Sequence, residues 1–436
     1  MIGNHSSRAF GRAAWWRIAS LVAILVTATF AGLLPVDVHA QDSRVMPDTA
    51  VVKNERDWNQ WNFGWTTFRV GMAAIYETAQ YDQDATGKAQ MDSAKVVLNT
   101  HESGWRDFRF FANGRLNTER PLIWKIAGMY DGVYESWTFR ETGLLIGFPK
   151  QHSEVFVGRS KEGYSLNKVQ NGYSCWGQER QMWLDNIPIM VDGIRWYGYL
   201  PTSRFLWSAG AFTDKIYEAI KEDTRFAPWD WTLSGRAGWR PIDNGKYGEL
   251  LHLGINARVA RPDGGLYRVK SKPESNPAPN FIDSGQFESN QSTAYGVEAY
   301  YRKGPLMFGS ELNQLSFNSA QAGDPSYPGG DFLVSYLYSA TRPYLSTNSV
   351  FFFPEPKRSL FDGGGGGLEF LLRYSWFDLN KGTMPGGMFW KVTPMVNWYV
   401  DDYLRIEVGY GIGKLDRFGV EGTTQFFQTR FQLQIM

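Results

Sequence analysis

The chain has 436 residues, with 45 Lys+Arg against 44 Asp+Glu, one Cys, 46 Gly and 16% aromatic side chains. A negative mean hydropathy of −0.36 with a single long apolar run excludes a bundle of membrane-spanning helices. One Cys excludes a disulfide framework or a cysteine-rich zinc cluster, and the balanced charge speaks against a nucleic-acid partner.

The first forty residues read as an address. Arg8, Arg12 and Arg17 precede an apolar run from Ile18 to Leu34, and Val38-His39-Ala40 offers small residues before Gln41. That order is expected of a cleavable signal peptide over residues 1–40. Removing it takes away three Arg and Asp37, leaving 42 basic against 43 acidic side chains. Residues 41–65 form a short lead-in carrying Trp58, Trp61 and Trp65, before an expected barrel domain over 66–436. Export leaves Cys175 without an intramolecular partner, and a packed small hydrophobe is its expected role.

From Thr66 onward the pattern has period two. Leu368, Phe370, Leu372, Tyr374 and Trp376 alternate with Glu369, Arg373 and Ser375; Leu404, Ile406, Val408 and Tyr410 alternate with Arg405, Glu407 and Gly409. Helical spacing fits neither stretch. The alternation predicts strands over 66–80, 105–116, 121–131, 133–148, 153–161, 188–200, 203–213, 231–242, 247–260, 292–303, 305–318, 330–343, 366–378, 387–400, 402–414 and 424–435. Sixteen is an even number, connections alternate between short and long, and the segments are long enough to cross hydrocarbon when tilted. Two links break the scheme: the one at Gly132 is short for an external loop, and 344–365 is long for a turn on the opposite rim. Tyr and Trp at strand ends (Trp239, Tyr301, Tyr336, Tyr374, Trp376, Trp398, Tyr399 and Tyr410) suit an interfacial girdle. The fold class is therefore all-β, a 16-stranded antiparallel transmembrane barrel in a bacterial outer membrane, with outer-membrane lipid as solvent for one face. The last strand sets Phe427, Thr429, Phe431, Leu433 and Ile435 on one side, with Met436 one residue extra.

Parity then assigns the water-facing charges. The basic set is Arg69, Arg109, Arg115, Lys125, Arg159, Lys161, Arg195, Arg236, Arg240, Arg258, Arg302, Arg373, Lys391, Arg405 and Arg430. The acids, fewer in number, are Glu77, Asp107, Glu249, Glu298, Glu311, Glu369 and Glu407. Low-dielectric walls focus the field of lining charges even in a near-neutral protein, and guanidinium groups suit oxyanions. The same arginines also have acids within reach on their own face, Arg405 near Glu407 for one, and could simply pair. No Ser or Cys nucleophile has a base in pattern, the five His show no ligand spacing, and Gly363 to Gly367 lacks the Gly-Lys-Ser/Thr of a nucleotide cradle. No enzyme activity, metal or cofactor is expected.

Several stretches resemble the phosphate-selective porin O and P family. Ser153 to Lys161 (SEVFVGRSK) is similar to that family's strand entering its inward-folded loop, and Glu162-Gly163-Tyr164-Ser165-Leu166 to its KEPFSLE continuation. Glu179-Arg180 and Gly193-Ile194-Arg195-Trp196-Tyr197-Gly198 resemble its next stretch. Arg342-Pro343-Tyr344, Gly365–Tyr374 and Gly386–Tyr399 resemble its C-terminal half. The resemblance implies a homotrimeric porin passing small anions, phosphate or polyphosphate among them. It also implies that 162–187 is a constriction loop presenting Tyr164, Lys168, Glu179 and Arg180. Rival readings are a non-selective or sugar-conducting porin, an ordinary external loop at 162–187, and a plugged structural barrel.

Overall fold

The computed structural model describes residues 58–214 and 229–435, so the expected leader over 1–40 and most of the lead-in lie outside the described residues. All sixteen alternating segments are strands. In chain order they are β1 (Thr67–Gln83), β2 (His101–Leu116), β3 (Leu122–Asp131), β4 in two pieces (Ser136–Phe139 and Thr142–Phe148), β5 (Ser153–Ser160), β6 (Val191–Leu200), β7 (Phe205–Thr213) and β8 (Trp229–Asp243). The second half holds β9 (Leu250–Pro262), β10 (Gln291–Lys303), β11 (Leu306–Asn318), β12 (Ser326–Tyr338), β13 (Gly367–Asp378), β14 (Met388–Tyr399), β15 (Leu404–Arg417) and β16 (Val420–Ile435). Each strand pairs antiparallel with the next. β16 returns to β1 from Met72↔Ile435 to Gln83↔Thr424, so the sheet closes and has no long free edge among the described residues.

The faces separate as the alternation requires. Leu233, Ile255, Tyr295, Val297, Phe370 and Leu372 are exposed on the outside, Ile255 by 62%. In water such a belt would be an aggregation liability; in hydrocarbon it is at home. Inside, Arg236, Arg258, Glu298, Glu369, Arg373 and Arg405 are buried among one another. Local chemistry sets the turns. Lys303↔Leu306 closes over Gly304 at φ +55° and Pro305, while Arg417↔Val420 closes over Phe418 at +55° and Gly419 at +77°; the second is left-handed at both residues, as a two-residue hairpin turn prefers. The residues between 414 and 424, expected as a loop, therefore extend β15 and β16.

Among the described residues, three connections fold inward. Residues 161–190 cross the lumen. The hairpin Leu266–Ser271 with Ile282–Glu288 sends its tip inside, where Pro273 O accepts from Lys391 Nζ at 3.1 Å and Glu274 meets Arg373 at 2.9 Å. From the opposite rim, the link between β12 and β13 also enters. Tyr344–Leu345 pairs with Val350–Phe351, Tyr344 N–H donates to Lys246 O at 3.0 Å, and Arg342 meets Glu369 at 2.8 Å. That link was too long for a turn because it is a second lining segment.

Tyr399 and Glu249 depart from their expected faces. Tyr399 is not in a girdle: it faces inward and donates to Glu369 at 2.6 Å, since Trp398 beside it already takes the outward position. Glu249 is not in the lumen: it sits in the turn before β9, accepting from Tyr301 Oη at 2.5 Å on the outer face.

Candidate functional site

The 161–190 segment is pinned along one side of the barrel. The N–H groups of Leu166 and Asn167 donate to Glu298 and Glu311 at 2.6 and 2.7 Å, Trp183 Nε1 to Tyr327 O at 3.1 Å, and Arg405 to the carbonyls of Cys175 and Trp176 at 2.8 and 2.9 Å. Tyr173 Oη donates to Asp107 at 2.6 Å, and Glu179 bridges Arg106 at 2.7 Å and Arg430 at 2.5 Å. Anchors therefore run from β10 through β16 and on to β2. Burial pushes the Glu179 carboxyl up, but the two guanidinium groups outweigh it and hold the group well below the usual carboxylate range. Cys175 is buried within this loop, as a packed thiol should be.

Most of the expected arginines belong to that pinned side, and carboxylates cancel them. Arg236 meets Glu298 at 2.5 Å, Arg258 meets Glu162 at 2.7 Å, Arg373 meets Asp331 at 3.1 Å as well as Glu274, and Arg430 meets Glu77 at 2.6 Å. Arg405 lies 3.1 Å from Glu407, and Arg240 lies 3.2 Å from Asp243 and over the Tyr199 ring. Arg302 donates to Gly248 O at 2.7 Å and to Arg342 O, and Lys391 adds Gln428 to Pro273 O. Acids are therefore not sparse inside: Asp331, Glu162, Glu179 and Glu274 join those that parity had found. Between this wall and the loop lies a cavity of about 10 Å³, lined by Glu274, Arg373, Lys391 and Gln428, room for about one water.

Three of the four expected loop residues are structural, Glu179 through its bridge to Arg106 and Arg430. Tyr164 is fully buried and stacks on Trp183 at 5.8 Å. Lys168, also buried, ties the loop to itself by donating to Leu184 O at 3.0 Å and to Ile187 O. Arg159 leaves the lumen-facing set: its register partners Thr142 and Asp192 and its neighbour Val157 share the outward parity, and it pairs with Asp192 at 3.0 Å. Arg69 stands at the short-turn end on the inward parity of Ala73 and Ile75, half-buried, and Arg115 is exposed near the same rim.

The other flank differs. Facing β2 to β6, the loop presents Lys161 and Arg180, both half-buried. Lys161 Nζ donates to the carbonyls of Val169 and Gln170 at 2.9 and 2.6 Å, and Arg180 to those of Asn167 and Gln170 at 2.8 and 2.7 Å. Carbonyls satisfy donors without cancelling charge. A Cβ on Gly172 would lie 3.8 Å from guanidinium nitrogens of both Arg109 and Arg180, so the two cations converge there. Arg109 meets Asp107 at 2.7 Å, an acid that Arg106 also reaches while holding both oxygens of Glu179. Arg140 completes the group, within electrostatic reach of Arg109, Arg180 and Arg106. Its side chain is half-buried and makes no hydrogen bond or ion pair with any described residue. Lys125 faces inward and pairs with Glu141 at 2.6 Å, and inward Arg195 donates to Ser208 Oγ at 2.9 Å. Burial pushes the Lys161 ammonium well below its ordinary value, and the Arg180 charge adds to that.

Arg140 and Arg106 escaped parity for one reason: both lie where a strand loses its count. Arg106 is the extra residue of a bulge between Ile75↔Asp107 and Tyr76↔Trp105, so it and Asp107 both reach the lumen. Arg140 and Glu141 lie in the break between the two pieces of β4. The short link at Gly132, anomalous in the sequence, leads into that same strand.

The family model described as phosphate-selective porin O and P matches residues 123–435. Among solved structures, the anion-selective porin from Comamonas acidovorans is similar at TM-score 0.55 and 13% identity, over 85% of this chain and 100% of that one. The trimer form of OmpT, an outer membrane protein of Vibrio cholerae, gives 0.51 at 10% identity, over 84% and 99%. OprB of Pseudomonas putida gives 0.51 at 11% identity, over 84% and 94%. An uncharacterized protein of Caulobacter vibrioides is 26% identical over 186 residues, 41% of this chain, and the match spans only 36% of that relative.

Proposed function

The chain belongs to the phosphate-selective porin O and P family, and from that premise we propose that it is an outer-membrane channel for passive diffusion of small anions, with phosphate-class oxyanions among its solutes. The observation that carries the reading is the cluster of Arg109, Arg140, Lys161 and Arg180 between the loop and the β2 to β6 wall, left with a surplus of positive charge. Opposite it, the described lumen arginines other than Arg302 meet carboxylates. A solute oxyanion is the partner that cluster lacks. Guanidinium forks donate in pairs to such groups, and several shared donors hold an anion loosely enough to release it. The anion selectivity of the Comamonas porin agrees with this reading. A homotrimer delivered by a cleaved signal peptide over 1–40 is part of the same proposal.

Single-channel recording tests it. In a KCl gradient the reversal potential should lie toward the chloride potential, and added phosphate should reduce the chloride current. A cation-selective current indifferent to phosphate would overturn the proposal. Absence of any current would instead favour a plugged barrel, the reading to which the three inserted segments and the near-dry loop anchorage lend weight.

A further inference from the structure

The lead-in plays no part in the cation cluster, yet it is built into the barrel. β16 ends opposite Met72, so the first residues of β1 would otherwise show an unpaired edge at the closing seam. Residues 59–62 fill it, through Gln60↔Arg69, Trp61↔Phe68 and Asn62↔Thr67, with Val70 N–H donating to Asn59 O at 3.1 Å. The chain then turns, Phe63 N–H donating to Thr66 O at 2.9 Å. Trp61 and Phe63 lie 5.8 and 6.4 Å from the Phe68 ring, which stacks on Trp124 at 5.7 Å. Phe68 and Trp124 hold the outward parity, Trp124 two residues from the exposed Ile126.

Trp58, Trp61, Phe63 and Trp65 are between 44 and 69% exposed, so they prolong the lipid-facing surface past the rim of short turns. On that rim the exposed Arg120 lies over the Phe148 ring at 5.0 Å. Indole rings concentrate at headgroup depth because the ring is apolar and its N–H wants a polar partner.

We propose that residues 58–66 are an interfacial anchor: the hairpin seals the barrel seam and seats its aromatic rings in the headgroup boundary of the adjoining leaflet, its partner being phospholipid. The inference rests on the membrane-barrel reading and not on the solute. The test uses the full mature chain with Cys175→Ser, in phosphatidylethanolamine/phosphatidylglycerol vesicles, carrying a nitroxide at Phe63→Cys. Ile255→Cys marks the hydrocarbon, and Thr202→Cys an exposed turn away from the hairpin. Accessibility to oxygen and to a nickel chelate should place residue 63 between the two markers. A value equal to that at 202 would overturn the proposal, and so would shielding from both reagents, which would mean a second copy covers the hairpin. A failed barrel is recognised separately, because the label at 255 would then see the chelate. Brominated lipid provides a second measurement: it should quench the unlabelled protein more than the Trp58→Ser, Trp61→Ser, Trp65→Ser variant, and equal quenching would also overturn the anchor.

Discussion

The two flanks of the lumen carry the same residue types and treat them oppositely. On the β9 to β16 side, the buried arginines other than Arg302 meet carboxylates, as Arg258 meets Glu162 and Arg430 meets Glu77. On the β2 to β6 side, Lys161 and Arg180 bond to carbonyls and Arg140 to none of the described residues, and all three stay half-buried. The first flank is a clamp for the inserted loop; the second is a charged surface that water reaches. Under the proposed function, selectivity turns on which cations are left uncancelled, and a count of lining arginines does not reveal it.

The largest break in that contrast is on the clamp. Arg258→Ala leaves Glu162 buried and unpaired, a change that costs about 3–5 kcal/mol for pairs of this kind. The urea midpoint of the folded barrel should fall steeply and channel conductance should become noisy as the loop loosens, while the anion preference persists. Next comes Arg140→Ala, which should leave the stability within about 0.5 kcal/mol of the parent, as for surface changes. It should cut the anion-to-cation permeability ratio about tenfold, or about 1.4 kcal/mol, the scale of one unit charge a few ångströms away in a partly screened site. Arg373→Ala should show the reverse pattern, large in stability and small in selectivity. Equal effects of Arg140 and Arg373 on reversal potential would erase the distinction between the flanks.

Smaller effects are expected from pH. Lys161 is held below the ordinary lysine value of 10.5 by burial and by Arg180, so it loses its charge earlier than an exposed lysine as pH rises. Anion preference should decline at a lower pH than an exposed lysine would give, and Lys161→Arg should remove that decline. Glu179 runs the other way. Despite burial, Arg106 and Arg430 depress its carboxyl, so the stability it confers is complete above its ordinary value of 4.5 and is lost as the medium becomes more acid. Loosening of the loop below that pH, seen as current noise and suppressed in Glu179→Gln, would check the assignment.

The wall was legible because alternation is a local property: β9 shows Leu251, Leu253 and Ile255 against His252, Asn256 and Arg258 in the sequence as in the barrel. Parity also placed Lys125 and Arg195 inside. It failed at Arg159, whose register turns it outward, and where a strand departs from strict alternation, at the bulge holding Arg106 and the break holding the unpaired Arg140 of the cation cluster. Pairing was illegible for a different reason. Glu162 and Arg258 are 96 residues apart, and Glu77 and Arg430 are 353 apart; only closure of the sheet brings them together. The inward course of 162–187 was expected from resemblance, whereas the equally inward course of the link after β12 left only the trace of its length.

Trp176 has a consequence of its own. Its ring lies flat on Tyr300 at 5.3 Å and meets Phe351 edge-on at 5.7 Å, and Arg342 reaches from the far segment to Ser174 O at 2.9 Å. The loop coming in from one mouth and the strap coming in from the other thus share a single keystone. Neither can slide without unseating that ring, so a load applied at either opening is borne at both.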